Sequence, residues 1–453
     1  MPSEAAVPAP GQPIRRELGP TLRKHADALI CVGLVLASLL VGIVQVPKHS
    51  MVSPIDEYVY IDAVAKVPTQ LVVRQGEEVG DFARRYLACH SVRLIGIYPE
   101  SLCAAPTTDD DAEYPNEGRT TADIYVPLYF ATTWLLAQPL TWFGVDLVDA
   151  GRSVGALWLA LAAVALFLAL RRLAIPRALA AALPVLLVGS LAAYWSNTYI
   201  STDATALAAG SVLLLTAVRV REGSASPWWF GALSVLFVLF KLQNIVAVLA
   251  VGLFLMLCAI REVRGAERPV SAWLRHRWVW ASALTVVVAA LAQIGWVVLR
   301  RVLAVDLGVR QGVDSDLSAT AIAREFFKFL PGAATGASAP EALGLAAVFI
   351  GGVTALLVVG GVIGVIGARR GLSAASNLGV ATLVVSALSA PILALVTVIV
   401  AGEFVPLVPR YGMSIVPIAF ACVALLFQRR RWVQVPLLVL SLVLFAASLT
   451  IEG

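Results

Sequence analysis

With 453 residues, 59% of them hydrophobic and only 14% charged, and a mean hydropathy of +0.84, the chain is too apolar for a soluble globular protein and reads as a polytopic membrane protein. The net charge of +5 does not imply nucleic acid, because Lys and Arg sit in short clusters between apolar runs, the pattern that marks cytoplasmic loops. The five cysteines (Cys31, Cys89, Cys103, Cys258, Cys422) contain no C-x-x-C spacing, which excludes the common zinc and haem motifs.

Residues 1–25, with Pro8, Pro10, Pro13, Arg15, Arg16, Arg23 and Lys24, read as a basic cytoplasmic tail. No small-residue cleavage site follows the first apolar run, 26–46, so it is expected to stay as a span. The segment 48–150 then carries the adjacent carboxylates Asp56 and Glu57, a short helix expected over 77–88, a polar turn-rich stretch at 99–121, and an ambiguous apolar run at 124–143. Further apolar runs cover 151–170, 178–195, 204–218, 228–240, 244–260, 279–299, 343–367, 378–400, 412–427 and 433–450. If 124–143 lies along the membrane surface, every strong basic cluster falls on the cytoplasmic side: Arg171-Arg172 with Arg177, Arg219 with Arg221, the run from Arg261 to Arg277, Arg369-Arg370, and Arg429 to Arg431. If it crosses, all five face outward. The expectation is therefore an all-α membrane protein of about eleven transmembrane helices, forming one domain over 26–450. Outer segments lie at 48–150 and 300–342, the second holding an amphipathic interfacial helix at 325–329. Between 228–240 and 244–260 only Lys241-Leu242-Gln243 intervene, so these runs are two short helices or one broken one.

On this topology the polar residues that interrupt the apolar pattern collect on the outer face. They are Asp56, Glu57 and Asp62 after the first span, Asn197, Tyr199 and Asp203 before the fourth, Lys241 above the fifth, and Glu403, Arg410 and Tyr411 before the tenth. Ionisable groups at such a boundary are costly unless solvated or paired, which makes them functional candidates. Carboxylates can take a proton from a hydroxyl, and Lys and Arg can hold a phosphate. Each also has a plainer explanation: Asp56-Glu57 as solvated loop, Lys241 snorkelling to the headgroups, Arg410 as an anchor, Asp203 as a helix cap, and Tyr58, Tyr60, Tyr125 and Tyr129 as interfacial aromatics. Arg152, at the outer mouth of the second span, is expected to pair with Asp146, Asp149 or an active-site carboxylate. Cys89 and Cys103 share one oxidising segment and are expected to form a disulfide.

The order of these features resembles the GT-C superfamily of membrane glycosyltransferases, which includes protein O-mannosyltransferases, the aminoarabinose transferase acting on lipid A, and actinobacterial arabinosyltransferases. An acidic pair follows the first span (Asp56-Glu57), and an aromatic patch, Val126-Pro127-Leu128-Tyr129-Phe130, is similar to the family's Pro-Pro-Leu-Tyr with Val for one proline. Ser201-Thr202-Asp203-Ala204 opens the fourth span, Lys241 breaks the next pair, and Arg410-Tyr411 leads into a span containing Pro417. The resemblance implies transfer of a sugar, arabinofuranose or mannose favoured, from a polyprenyl-phosphate donor such as decaprenyl phosphate to a glycan, lipid or protein acceptor of the cell envelope. Under it Asp56 is the general base with Glu57 beside it, Lys241, Arg410 and Tyr411 bind the donor phosphate, and Asp203, Asn197 and Arg152 support them. A divalent metal at Asp56-Glu57 stays open, since members of the superfamily work both with and without one. The alternatives are a secondary transporter or lipid flippase whose carboxylates carry protons, or a noncatalytic assembly subunit. Against transport stand the absence of repeated halves and the placing of ionisable residues near the ends of spans.

Overall fold

A backbone inside hydrocarbon has no water to satisfy its polar groups, so the apolar runs of this chain have to become helices. The computed structural model describes residues 20–93, 111, 114–308, 317–336, 343–368, 373–401 and 404–451. Most of the basic tail, Cys103, Glu403 and Arg369-Arg370 lie outside them. In chain order the helices are α1 (Pro20–Gln45), α2 (Glu57–Lys66), α3 (Asp81–His90), α4 (Leu128–Trp142), α5 (Leu147–Arg172), α6 (Arg177–Val188), α7 (Leu191–Asn197), α8 (Ala204–Arg221), α9 (Pro227–Phe240), α10 (Ile245–Glu262), α11 (Pro269–Leu274), α12 (Arg277–Val302), α13 (Ala319–Glu325), α14 (Ala333–Thr335), α15 (Leu345–Ala368), α16 (Ala374–Ala401), α17 (Val416–Phe427) and α18 (Arg431–Ser448). Among the described residues there is no strand beyond the isolated bridges Val52 to Val92 and Glu78 to Arg119.

Among the described residues nine helices are long and apolar enough to cross a membrane: α1, α5, α8, α10, α12, α15, α16, α17 and α18, some extended by a flanking turn. The chain is thus an all-α, multi-pass membrane protein. The expected span at 178–195 is a pair, α6 and α7, bent by 50°. The break falls at Gly189-Ser190, where Ser190 Oγ accepts the Ala193 amide and starts α7 afresh. The expected span at 228–240 is α9, an apolar helix of 14 residues, shorter than a straight crossing needs.

Burial sorts the helices. Almost every residue of α8 is covered, whereas α12 turns Val287, Leu291, Ile294 and Val298 outward, as a lipid-facing helix does. At one end of the bundle Arg171 and Arg177 meet Asp27 of α1, and Arg172 meets Glu222 after α8 at 2.7 Å. The acidic segment, α2, α3 and α4 occupy the other end. Here α4 lies across the start of α5, Ala137 packing on Ala150 and Val154 while Trp142 and Phe143 stay exposed.

Helices α9 and α10 form two antiparallel legs on α12 rather than one broken rod. Val238 O accepts from Gln293 Nε2 at 2.9 Å and Gly231 faces Thr285, so α9 runs parallel to α12. Gly252 faces Ser282, and Trp273, before α12, bonds Met256 O, so α10 runs the other way. With Val238 level with Gln293, α12 continues about 10 Å beyond the end of α9 at 1.5 Å per residue.

Two local expectations need correction. The helix expected over 77–88 begins at Asp81, because Glu77 O accepts the Thr120 amide and the Gly80 amide goes to Asp62 Oδ1, which holds 77–80 extended. The interfacial helix expected at 325–329 is split: α13 ends at Glu325 and a π-helical turn, Lys328–Gly332, follows. Glu325 is buried with Lys328 Nζ at 2.6 Å, and Phe329 is buried against Gly412, so these residues brace the segment before α17 instead of lying on the membrane.

Candidate functional site

The acidic pair is not a pair in space. Ser53 Oγ accepts the Ile55 amide, and Asp56 then adopts a left-handed conformation (φ 57°, ψ 10°), which Asp tolerates better than most residues. Helix α2 starts on the next residue, and the two carboxylates leave in different directions. Glu57 turns inward with no exposed surface and accepts from Ser53 N at 2.7 Å, Ile200 N at 2.9 Å, and Arg152 Nε and Nη2 at 2.9 and 3.0 Å. Arg152, equally buried, spends its other donors on His49 O and Met51 O, with Asp149 at 3.6 Å. Both Glu57 oxygens are occupied, so Glu57 cannot take a substrate proton. The catalytic place expected for it is corrected to that of an anchor for the turn carrying Asp56. Beside it His49 stacks on Tyr199 at 3.8 Å between ring centroids and bonds Thr198 Oγ1 at 2.8 Å. Burial, then the Arg152 charge, pushes the His49 pKa down to about 2. Sequence reasoning passed over this histidine because no spacing links it to another polar residue.

Asp56 faces Arg410, whose Nη2 donates to Asp56 Oδ2 at 2.8 Å. Arg410 sits in a 3-10 segment, Pro409–Ile415, pressed so closely on α8 that a Cβ at Gly210 would collide with Ser414 O. Arg410 Nε lies 3.5 Å from Asp203 Oδ2, and Asp203 Oδ1 holds Lys241 Nζ. Charge therefore alternates along a row, Asp56, Arg410, Asp203, Lys241. Burial rules out the plainer readings: Asp203 makes no side-chain cap to α8, Lys241 is 2% exposed and does not reach the headgroups, and Arg410 is 9% exposed. The Asp56 side chain, by contrast, is 42% exposed.

Aromatic rings wall this row. Lys241 Nζ lies 5.4 Å from the Tyr411 ring centroid and 6.0 Å from that of Tyr125, and Arg410 lies 5.6 Å from Tyr411. Tyr60 Oη donates to Tyr125 Oη at 3.0 Å, and Tyr129 Oη accepts the Ser201 amide at 3.0 Å. Tyr58, Tyr60, Tyr125 and Tyr129 are all buried, which overturns their reading as interfacial aromatics. Asn197 lies off the row as a staple: its Nδ2 donates to Gly155 O and Ala204 O, and its Oδ1 accepts from Ser196. Asp62 also points away, to Lys66 at 2.8 Å.

The residues present do not fit a divalent metal at Asp56-Glu57, since the Glu57 oxygens are filled and Asp56 already holds a guanidinium. Among the described residues no three His, Cys, Asp or Glu converge. Cys89 is in a disulfide, and Cys31, Cys258 and Cys422 are free thiols; Cys103, the expected partner, is outside the described residues. Compared with known proteins, the chain matches no family model and no curated sequence.

Proposed function

We propose that the chain is a GT-C-like membrane glycosyltransferase that takes a sugar from a polyprenyl-phosphate donor and passes it to a hydroxyl of an envelope glycan, lipid or protein. The observation that supports this most is the exposed Asp56 carboxylate held against Arg410 in one row with Asp203 and Lys241. An acceptor hydroxyl placed at Asp56 loses its proton to the carboxylate as its oxygen bonds the anomeric carbon. On the opposite face the bond from that carbon to the phosphate oxygen breaks, and inversion follows. The leaving phosphate gains charge in that step, where Arg410 and Lys241 stabilise it. Asp203 keeps the two cations apart and aimed. Arabinofuranose and mannose remain the favoured sugars.

The test is purified protein with a radiolabelled polyprenyl-phosphate sugar: transfer or slow hydrolysis supports the enzyme, and ion-coupled uptake without sugar chemistry overturns it. Arg410→Ala should weaken donor binding roughly tenfold or more, on the scale of charge-assisted hydrogen bonds, and lower turnover as well. Unchanged donor affinity would leave Arg410 as scaffold alone.

The same reading has the chain crossing the membrane eleven times, α6 with α7 and the short α9 included, with a cytoplasmic N-terminus and the charged row outside. Single cysteines near Arg172 and near Asp306, with Cys31, Cys258 and Cys422 replaced, test it. A membrane-impermeant thiol reagent added to intact cells should label the Asp306 site, and should reach the Arg172 site only after permeabilisation. The opposite pattern would invert the topology.

A further inference from the structure

A cavity of about 210 Å³ opens beside the charged row, between residues 124–126 just before α4, the end of α9 with the turn after it, and the last turns of α12. It exists because α9 stops short of α12. Tyr125, Val238, Phe240 and Val297 contribute apolar wall, and Gln243, Gln293, Lys241 and Arg300 contribute polar groups. The charges are already matched: Lys241 is held by Asp203 and Arg300 by Asp123. Gln293 spends an amide hydrogen on Val238 O, but Gln243 Oε1 is buried without a hydrogen-bond partner among the described residues. Leaving such an oxygen without a donor is costly in a buried place, and a ligand hydroxyl would recover that cost.

We propose that this cavity binds one neutral sugar ring, with Gln243 as its polar grip. Arg300 is matched by Asp123, and the lining offers no cation beyond Lys241 of the row proposed to hold the phosphate, so the cavity's own occupant is neutral. An amide both accepts from and donates to hydroxyl groups, and the apolar wall suits the C–H face of a ring. The volume falls below the roughly 300–1,000 Å³ of sites for drug-sized ligands and suits a single ring. The ring can come from the donor or from the end of an acceptor glycan; that assignment rests on the transferase reading, whereas the binding itself does not.

The experiment is saturation-transfer NMR on the full chain in nanodiscs, with methyl α-mannopyranoside and methyl arabinofuranoside as probes. The parent should saturate the ring protons of at least one probe. Gln243→Leu, which keeps the volume but removes the amide, and Val297→Trp, which fills the cavity from its apolar side, should each weaken binding at least tenfold. Gln243→Asn should fall between, and melting temperature verifies the fold of each. No saturation in the parent, or parent-like binding in both Gln243→Leu and Val297→Trp, overturns the proposal. With radiolabelled donor, loss of acceptor-free hydrolysis in Gln243→Leu assigns the ring to the donor, and loss of transfer alone assigns it to the acceptor. A parent that binds a probe yet neither hydrolyses nor transfers donor would sink the transferase reading and leave the sugar site standing.

Discussion

On the proposed transferase reading, Asp56→Asn is expected to lower sugar transfer by roughly 10²-fold or more, the usual scale of general-base catalysis, with donor affinity little changed. The substitution is clean. Asn matches Asp in shape and accepts the left-handed backbone found at this residue, so the turn and α2 stay in place. Arg410 keeps Asp203 as its second partner, so the cation is not set loose. What disappears is the proton acceptor, together with the negative charge that faces Arg410. Single-turnover transfer and donor binding, measured side by side on the folded variant, check it. Full turnover would remove Asp56 from the base role, and an equal loss of donor affinity would make it a binding residue.

Arg152→Met should be the most damaging single change to stability. Arg152 and Glu57 are both fully buried, and removing one partner of such a pair costs about 3–5 kcal/mol because the other charge is left uncompensated. The double variant Glu57→Gln, Arg152→Met should regain part of that loss, since no buried charge then lacks its partner. Thermal unfolding of the detergent-solubilised protein measures both. Parent-like melting of Arg152→Met would show that the pair does not hold the site together.

Much of this arrangement was legible in the sequence. Charge is scarce in so apolar a chain, so Asp56, Asp203, Lys241 and Arg410 stood out, and the fold brings these four into one row although they lie on separate turns. What could not be read was direction. Neighbouring carboxylates look like one acidic site, and only the positive φ at Asp56 sends Glu57 to the core. The tyrosines misled for a similar reason: aromatic rings near a span end normally meet lipid headgroups, but α2 and the 122–130 stretch pack inward on each other, and Tyr60 and Tyr125 bond together. The short α9 was visible as a short apolar run, but its alignment on α12, and so the cavity above it, depends on a packing register that no pattern encodes.

The Glu57 cluster also sets an order of events during synthesis. Arg152 is made 95 residues after Glu57, and Ile200, which supplies a backbone donor, 143 residues after it. Until both have emerged, the carboxylate has no partner strong enough to justify leaving water. The stretch from His49 to Glu57, which lends its carbonyls to Arg152, must therefore wait as an open loop while α5 and the bent pair α6 and α7 are made. A nascent chain halted before Arg152 keeps an exposed acidic loop on a half-built bundle. The loop can close once Ile200 has emerged, whereas Asp56 gains Arg410 only 354 residues after it is made, so the Glu57 anchor is set long before the charged row is complete.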